Sequence, residues 1–119
     1  MMEFFLAFQQ APNVDEIHAD PLKGQQVSLA WKQYMGAMAA AGVMRAGTQL
    51  DPRNASTVRV RDGQRQVQDG PSPEGHALFG GYVVINVETR EEALNWAERS
   101  PSSSAGYTEV IPVLPIIRA

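Results

Sequence analysis

A chain of 119 residues with a net charge of −3 has the size of one domain, and that charge balance excludes a broad basic surface for nucleic acid. There is no cysteine, which rules out disulfide scaffolds, thiolate catalysis and cysteine-based zinc sites. With 44% hydrophobic and 19% charged residues, the composition is globular rather than disordered.

No apolar run nears the roughly 20 residues that cross a bilayer. Residues 1–8 lack the basic start of a signal peptide, so a cytoplasmic protein is expected. Within the chain, Phe4 to Phe8 is an almost continuous apolar run. Such a run suits a central strand covered on both faces. Asp20–Pro21 then opens a helix, since aspartate caps free amides and proline at the first helical position loses no needed donor. Val27, Trp31, Tyr34, Met35 and Met38 recur at helical spacing and predict one broad apolar face. In this reading Trp31 is a core residue. Gly42 is the expected stop.

Val43 to Leu50 predicts a weaker strand, with Arg45 inside it, followed by a turn at Asp51–Asn54. Val58 and Val60 alternate with Arg59 and Arg61 before Asp62–Gly63, the signature of a tight hairpin over Thr57–Gln68. Its arginines are expected on a solvated face. Tyr82 to Val87 is a second strongly apolar strand. Thr89 and Glu92 have the spacing of a capping box, opening a helix that runs to about Arg99 and presents Ala93, Leu94 and Ala97 inward. Pro101 and the serines at 102–104 end it. The last strand, Thr108 to about Leu114, carries Pro112 and is followed by Pro115, which places it at a sheet edge or at a dimer boundary.

With the hairpin set aside, the order strand, helix, strand, strand, helix, strand is the split βαβ pattern of a ferredoxin-like α+β fold. One domain over residues 1–119 is expected: a four-stranded antiparallel sheet, two helices on one face and an inserted hairpin. Two helices cover one face only. The uncovered face predicts a homodimer with its sheets face to face.

The run Asp69-Gly70-Pro71, then Glu74, then Gly80-Gly81-Tyr82 resembles the DGPF group of YCII-related proteins. The segments Thr57–Gly63, Ala40–Val43 and Glu92–Ala97 extend the resemblance over nearly the whole chain. It implies a dimeric α+β barrel. Two positions depart from the group: Ser72 stands for its phenylalanine and His76 for its lysine. The helix histidine of the core YCII-like proteins has no counterpart between Lys23 and Ala41, so their histidine–aspartate chemistry does not carry over.

Asp69, Glu74 and His76 are three titratable side chains in one stretch, and histidine near neutrality serves as acid, base or metal ligand. The favoured account is plainer: ordinary turn chemistry for Asp69-Gly70-Pro71 and solvated side chains for Glu74 and His76. Trp31, Tyr34 and Arg45 are candidates to line a ligand pocket. No metal is expected, because His18 is the one other histidine and no zinc spacing is present. Gly80–Gly81 precedes a strand, unlike a phosphate loop, and points to a bulge or close backbone contact. No cofactor is expected. The favoured reading is a small-molecule-binding or regulatory module without catalysis. The alternative is a cofactor-independent enzyme with His76 and an acidic partner as acid and base.

Overall fold

The computed structural model describes residues 1–70 and 78–114. Its centre is the pair of apolar runs. β1 (Met2–Gln10) and β5 (Leu78–Val87) pair antiparallel from Met2↔Val87 to Gln10↔Leu78. Alternation turns Phe4, Leu6 and Phe8 of one strand and Val83, Ile85 and Val87 of the other to a single buried face. β2 (Met44–Gln49) adds to β5 and β6 (Tyr107–Pro112) adds to β1, both antiparallel, giving the order β2-β5-β1-β6. Pro112 therefore lies on an edge, as its missing donor requires.

α2 (Pro21–Ala41) begins where Asp20–Pro21 predicts. Leu22 N and Lys23 N both donate to Asp20 Oδ1 at 3.0 Å, and Gly42 closes the helix at φ 68°. Tyr34 and Met38 of this helix are buried over the sheet. α3 (Arg90–Arg99) buries Ala93 and Ala97 beside them. Glu92 N donates to Thr89 Oγ1 at 3.2 Å, and Glu88 N donates to the Glu92 carboxylate at 3.4 Å. These bonds are the capping box, shifted by one amide on its return arm. Strand, long helix, strand and then strand, helix, strand in an antiparallel sheet is the ferredoxin-like α+β fold.

Two short helices depart from the sequence reading. α1 (Val14–Ala19) occupies a stretch where no element is expected. It buries Val14, and an ion pair from Asp15 to Arg53 ties it to a single 3-10 turn at Pro52–Asn54. The serines after Pro101 form α4 (Ser102–Ala105) rather than an open loop. The hydroxyls of buried Ser100 and Ser102 each lie 2.7 Å from Thr108 Oγ1, which fixes α4 to β6.

β3 (Ser56–Arg61) and β4 (Gln64–Asp69) form the expected hairpin, with Asp62 at φ 53° and Gly63 at φ 73° as in a type I′ turn. Its faces are the reverse of the expectation. Val58, Val60 and Val67 are more than half exposed, while Thr57 and Arg59 on the other face are half-buried.

The chain spans 49 × 48 × 17 Å, so its thickness leaves room for a sheet and one helical layer only. The far face of the sheet carries Phe5 stacked on Tyr82 at 4.9 Å and set edge-on to Phe79 at 6.2 Å. Tyr107 and Ile111 on the same face are 49% and 43% exposed. Among the described residues, no helix lies over this face.

Candidate functional site: a groove between the long helix and the sheet

On the helix side, a wide groove of about 1580 Å³ opens between α1–α2 and the sheet. Phe8, Trp31, Tyr34 and Val83 form its apolar wall, and Gln10, Gln49, Asp20, Lys32 and Arg99 are among the polar residues that line it. The Trp31 ring stands edge-on to Phe8 at 4.9 Å and to Tyr34 at 5.9 Å. Tyr34 continues the series to Trp96 at 6.2 Å, and the Arg99 guanidinium covers Trp96 at 4.4 Å.

β5 enters the groove at Gly80–Gly81. The ladder skips Gly80, with Phe8 opposite Gly81 and Gln9 opposite Phe79. A Cβ on Gly81 would meet the Thr48 carbonyl oxygen at 2.9 Å. The pair is thus both a bulge and a close backbone contact.

Tyr34 is held by one specific bond. Its hydroxyl donates to Trp96 O at 2.8 Å. That carbonyl is open because Ser100 N bonds Ala97 O instead, tightening the last turn of α3. Burial pushes the Tyr34 hydroxyl well above the usual phenol range, and Arg99 opposes this only in part. The hydroxyl therefore stays protonated and acts as a donor, not as a base. Tyr34→Phe is expected to cost about 1–2 kcal/mol, because it leaves a part-buried carbonyl unpaired. The pH dependence has a definite sign. Above about pH 10 an unfolded tyrosine ionises while the folded one keeps its proton, so this group lowers stability as pH rises. Denaturation at pH 7 and pH 10.5 checks both points: the gap between the two proteins should narrow at the higher pH.

Trp31 is half-buried, a correction to its expected place in the core. It sits at the end of the aromatic series where the groove opens, packed on the core from outside. Trp31→Ala should accordingly cost less than the roughly 3–5 kcal/mol of a fully buried tryptophan.

The three residues expected to line a pocket are divided. Trp31 and Tyr34 share the groove wall, whereas Arg45 is the extra residue where the β2–β5 register shifts. With the Asn86 amide oriented to satisfy both neighbours, Arg45 Nη2 donates to its oxygen at 3.0 Å and its nitrogen donates to Met2 O at 3.3 Å. Asn86 alternates with the buried Ile85 and Val87, so Arg45 lies on the far face of the sheet. Asp69 ends β4 exposed at the hairpin root, where Gly70 N bonds Ala55 O. Glu74 and His76 lie outside the described residues.

The sequence reading did not single out Phe8, Gln10, Thr48 or Gln49. Alternation along β1 assigns Phe8 to a core face, but nothing local says that the helix above stands off from it. Among the described residues, no group of three or more acidic or histidine side chains is placed to hold a metal. No helix there is long and apolar enough to cross a membrane.

The fold and groove define a small ferredoxin-like α+β domain. The model of the YCII-related domain matches residues 2–117, and the chain belongs to that family. Among solved structures it is similar to 5-chloro-2-hydroxyhydroquinone dehydrochlorinase (TftG) from Burkholderia phenoliruptrix AC1100, in complex with 2,5-dihydroxybenzoquinone. The TM-score is 0.53 at 15% identity, over 97% of this chain and 94% of that one; this likeness is one of fold. Comparison with curated proteins gives no match.

Proposed function

We propose that this protein binds a small planar molecule in the groove between α2 and the sheet and does so without catalysis. The observation that carries the reading is the half-buried Trp31, edge-on to Phe8 and Tyr34 at the opening of the groove. An aromatic wall favours flat rings. The lining offers amide donors and acceptors at Gln10 and Gln49 and charged groups at Asp20, Lys32, Glu98 and Arg99, which suits a ring carrying hydroxyl and carbonyl substituents. The dehydrochlorinase of similar fold was solved with 2,5-dihydroxybenzoquinone, and that compound is the first probe. Titration calorimetry should show binding by the native protein and about tenfold weaker binding by Trp31→Ala, equivalent to about 1.4 kcal/mol. Equal affinities would remove Trp31 from the site.

The same likeness to an enzyme favours a second reading, in which His76 with Asp69 or Glu74 acts as acid and base on a ligand in the groove. It requires turnover that His76→Ala abolishes. Binding without turnover of the probe would support the first reading.

The working form in either case is a homodimer joined through the far face of the sheet. Phe5, Tyr82 and Val84 are half-buried there and Ile111 and Tyr107 are exposed, an apolar surface that a second copy would cover by two-fold symmetry.

A further inference from the structure

We infer that Gln10 is the residue that orients and selects the ligand of the groove, its side-chain amide donating to a ring oxygen, and that Gly80 is glycine in order to seat it. The inference rests on the ligand groove proposed above and deepens it by naming the polar contact. Alternation places Gln10 on the helix side. Thr108 of β6 bonds Ser100 and Ser102 of the helical layer, so its neighbour Glu109 faces the other way, and Gln9 Nε2 donates to Glu109 Oε1 at 3.1 Å. Gln9 is thus committed to the far face. The extra residue of the bulge belongs to β5, which leaves the alternation of β1 undisturbed. Gln10 therefore follows Phe8 on one strand face and lines the groove next to the aromatic wall.

Gly80 shows what keeps the glutamine there. Its φ lies outside the left-handed region, so backbone conformation does not demand glycine. Space does. A Cβ at Gly80 would fall 2.6 Å from Cγ, Cδ and Nε2 of Gln10, so that side chain rests on the bare backbone of the bulge. Gly81 is a different case, because its added Cβ would meet the backbone of β2 at Thr48 and Gln49. One glycine of the pair admits a neighbouring strand, and the other admits a side chain. The amide so placed is partly buried and has no hydrogen-bond partner among the described residues. Its two donors and one acceptor are left for a ligand. A few placed polar groups orient a molecule in an otherwise apolar pocket. With the ring face against Phe8 and Trp31, an oxygen at the ring edge is what the amide donor can read. The class of ligand is therefore a flat ring carrying a carbonyl or phenolate oxygen at its edge.

Titration calorimetry of the full chain with 2,5-dihydroxybenzoquinone tests this in a double-mutant cycle. Gln10→Ala and Gly80→Ala should each weaken binding at least tenfold. Gly80→Ala should cause no further loss in the Gln10→Ala background, because its effect passes through the glutamine. Gln10→Glu keeps the shape but offers no donor at neutral pH, and it should weaken binding at least as much as Gln10→Ala. Thermal unfolding of Gly80→Ala should stay close to native, since the atoms displaced belong to a flexible side chain; if that variant does not fold, the two Gln10 variants carry the test. Native affinity in the Gln10 variants, with Trp31→Ala about tenfold weaker, would overturn the role of Gln10 and leave the groove standing. A loss on Gly80→Ala that persists in the Gln10→Ala background would show the methyl itself obstructing the ligand and would overturn the seat. No binding by the native protein would overturn the groove reading and this inference with it.

Discussion

Phe8→Ala is expected to lower the unfolding free energy by about 3–5 kcal/mol, a large fraction of the roughly 5–15 kcal/mol that stabilises a domain. The ring is 3% exposed on the helix side of β1, and it supports Trp31 at 4.9 Å and Tyr34 at 6.0 Å. Its removal takes away buried apolar area and leaves a void beneath the wall of the groove, which α2 cannot fill while Tyr34 holds it to α3. Phe8→Leu keeps most of the volume and should lose under about 1.5 kcal/mol. Urea denaturation followed by circular dichroism measures both. A loss below 1 kcal/mol for the alanine variant would show that the ring is not the floor of the cluster.

Gly106→Ala is expected to cost about 3 kcal/mol, at the upper end for an overpacked site. A Cβ there would collide with the Gln9 carbonyl oxygen and lie 3.0 Å from Gln10 C and 3.1 Å from Ala11 N. All three neighbours are backbone, so no side chain can swing aside. The strain falls where α4 hands the chain to β6, next to the Gln9↔Tyr107 pair. Gly36→Ala is the natural contrast. It lies in α2 with nothing within 4 Å of its added Cβ, and helix propensity alone should stabilise that variant by up to about 1 kcal/mol. Opposite signs for the two substitutions in one denaturation series are the expected result. A neutral Gly106→Ala would mean that β1 and the α4–β6 junction are less closely opposed.

The sequence shows the sheet because two local signals agree with the global one. The runs at Phe4–Phe8 and Tyr82–Val87 are too apolar for edge strands, and they occupy the two central positions. The caps Asp20 and Thr89 act within one turn of themselves, so both helix starts are legible from spacing. α1 was hidden because its apolar contribution is small; the acids Asp15 and Glu16 in its first turn were the available signal. Hairpin faces follow from period two, but which of them meets solvent depends on how the arm leaves the body, and no residue in 56–69 encodes that locally.

The groove was legible only in part. Helical spacing groups Trp31 with Tyr34, yet their different burial arises from the opening between α2 and the sheet, a tertiary feature. Arg45 falls to the far face because a register shift at Met44–Ala46 moves it out of simple alternation. Gly106 is glycine because of a backbone some hundred residues earlier in the chain, which a local reading cannot see.

The central claim is that ligands enter the groove beside Trp31. Nitrogen-15 correlation spectra of the native protein, titrated with 2,5-dihydroxybenzoquinone, test it most directly. The account predicts that the indole resonance of Trp31 and the amides of Thr48, Gln49 and Gly81 shift together along one saturable curve, while the β3–β4 amides stay in place. Saturable shifts confined to the Phe5, Tyr82 and Ile111 face, with the Trp31 resonance unmoved, would contradict it.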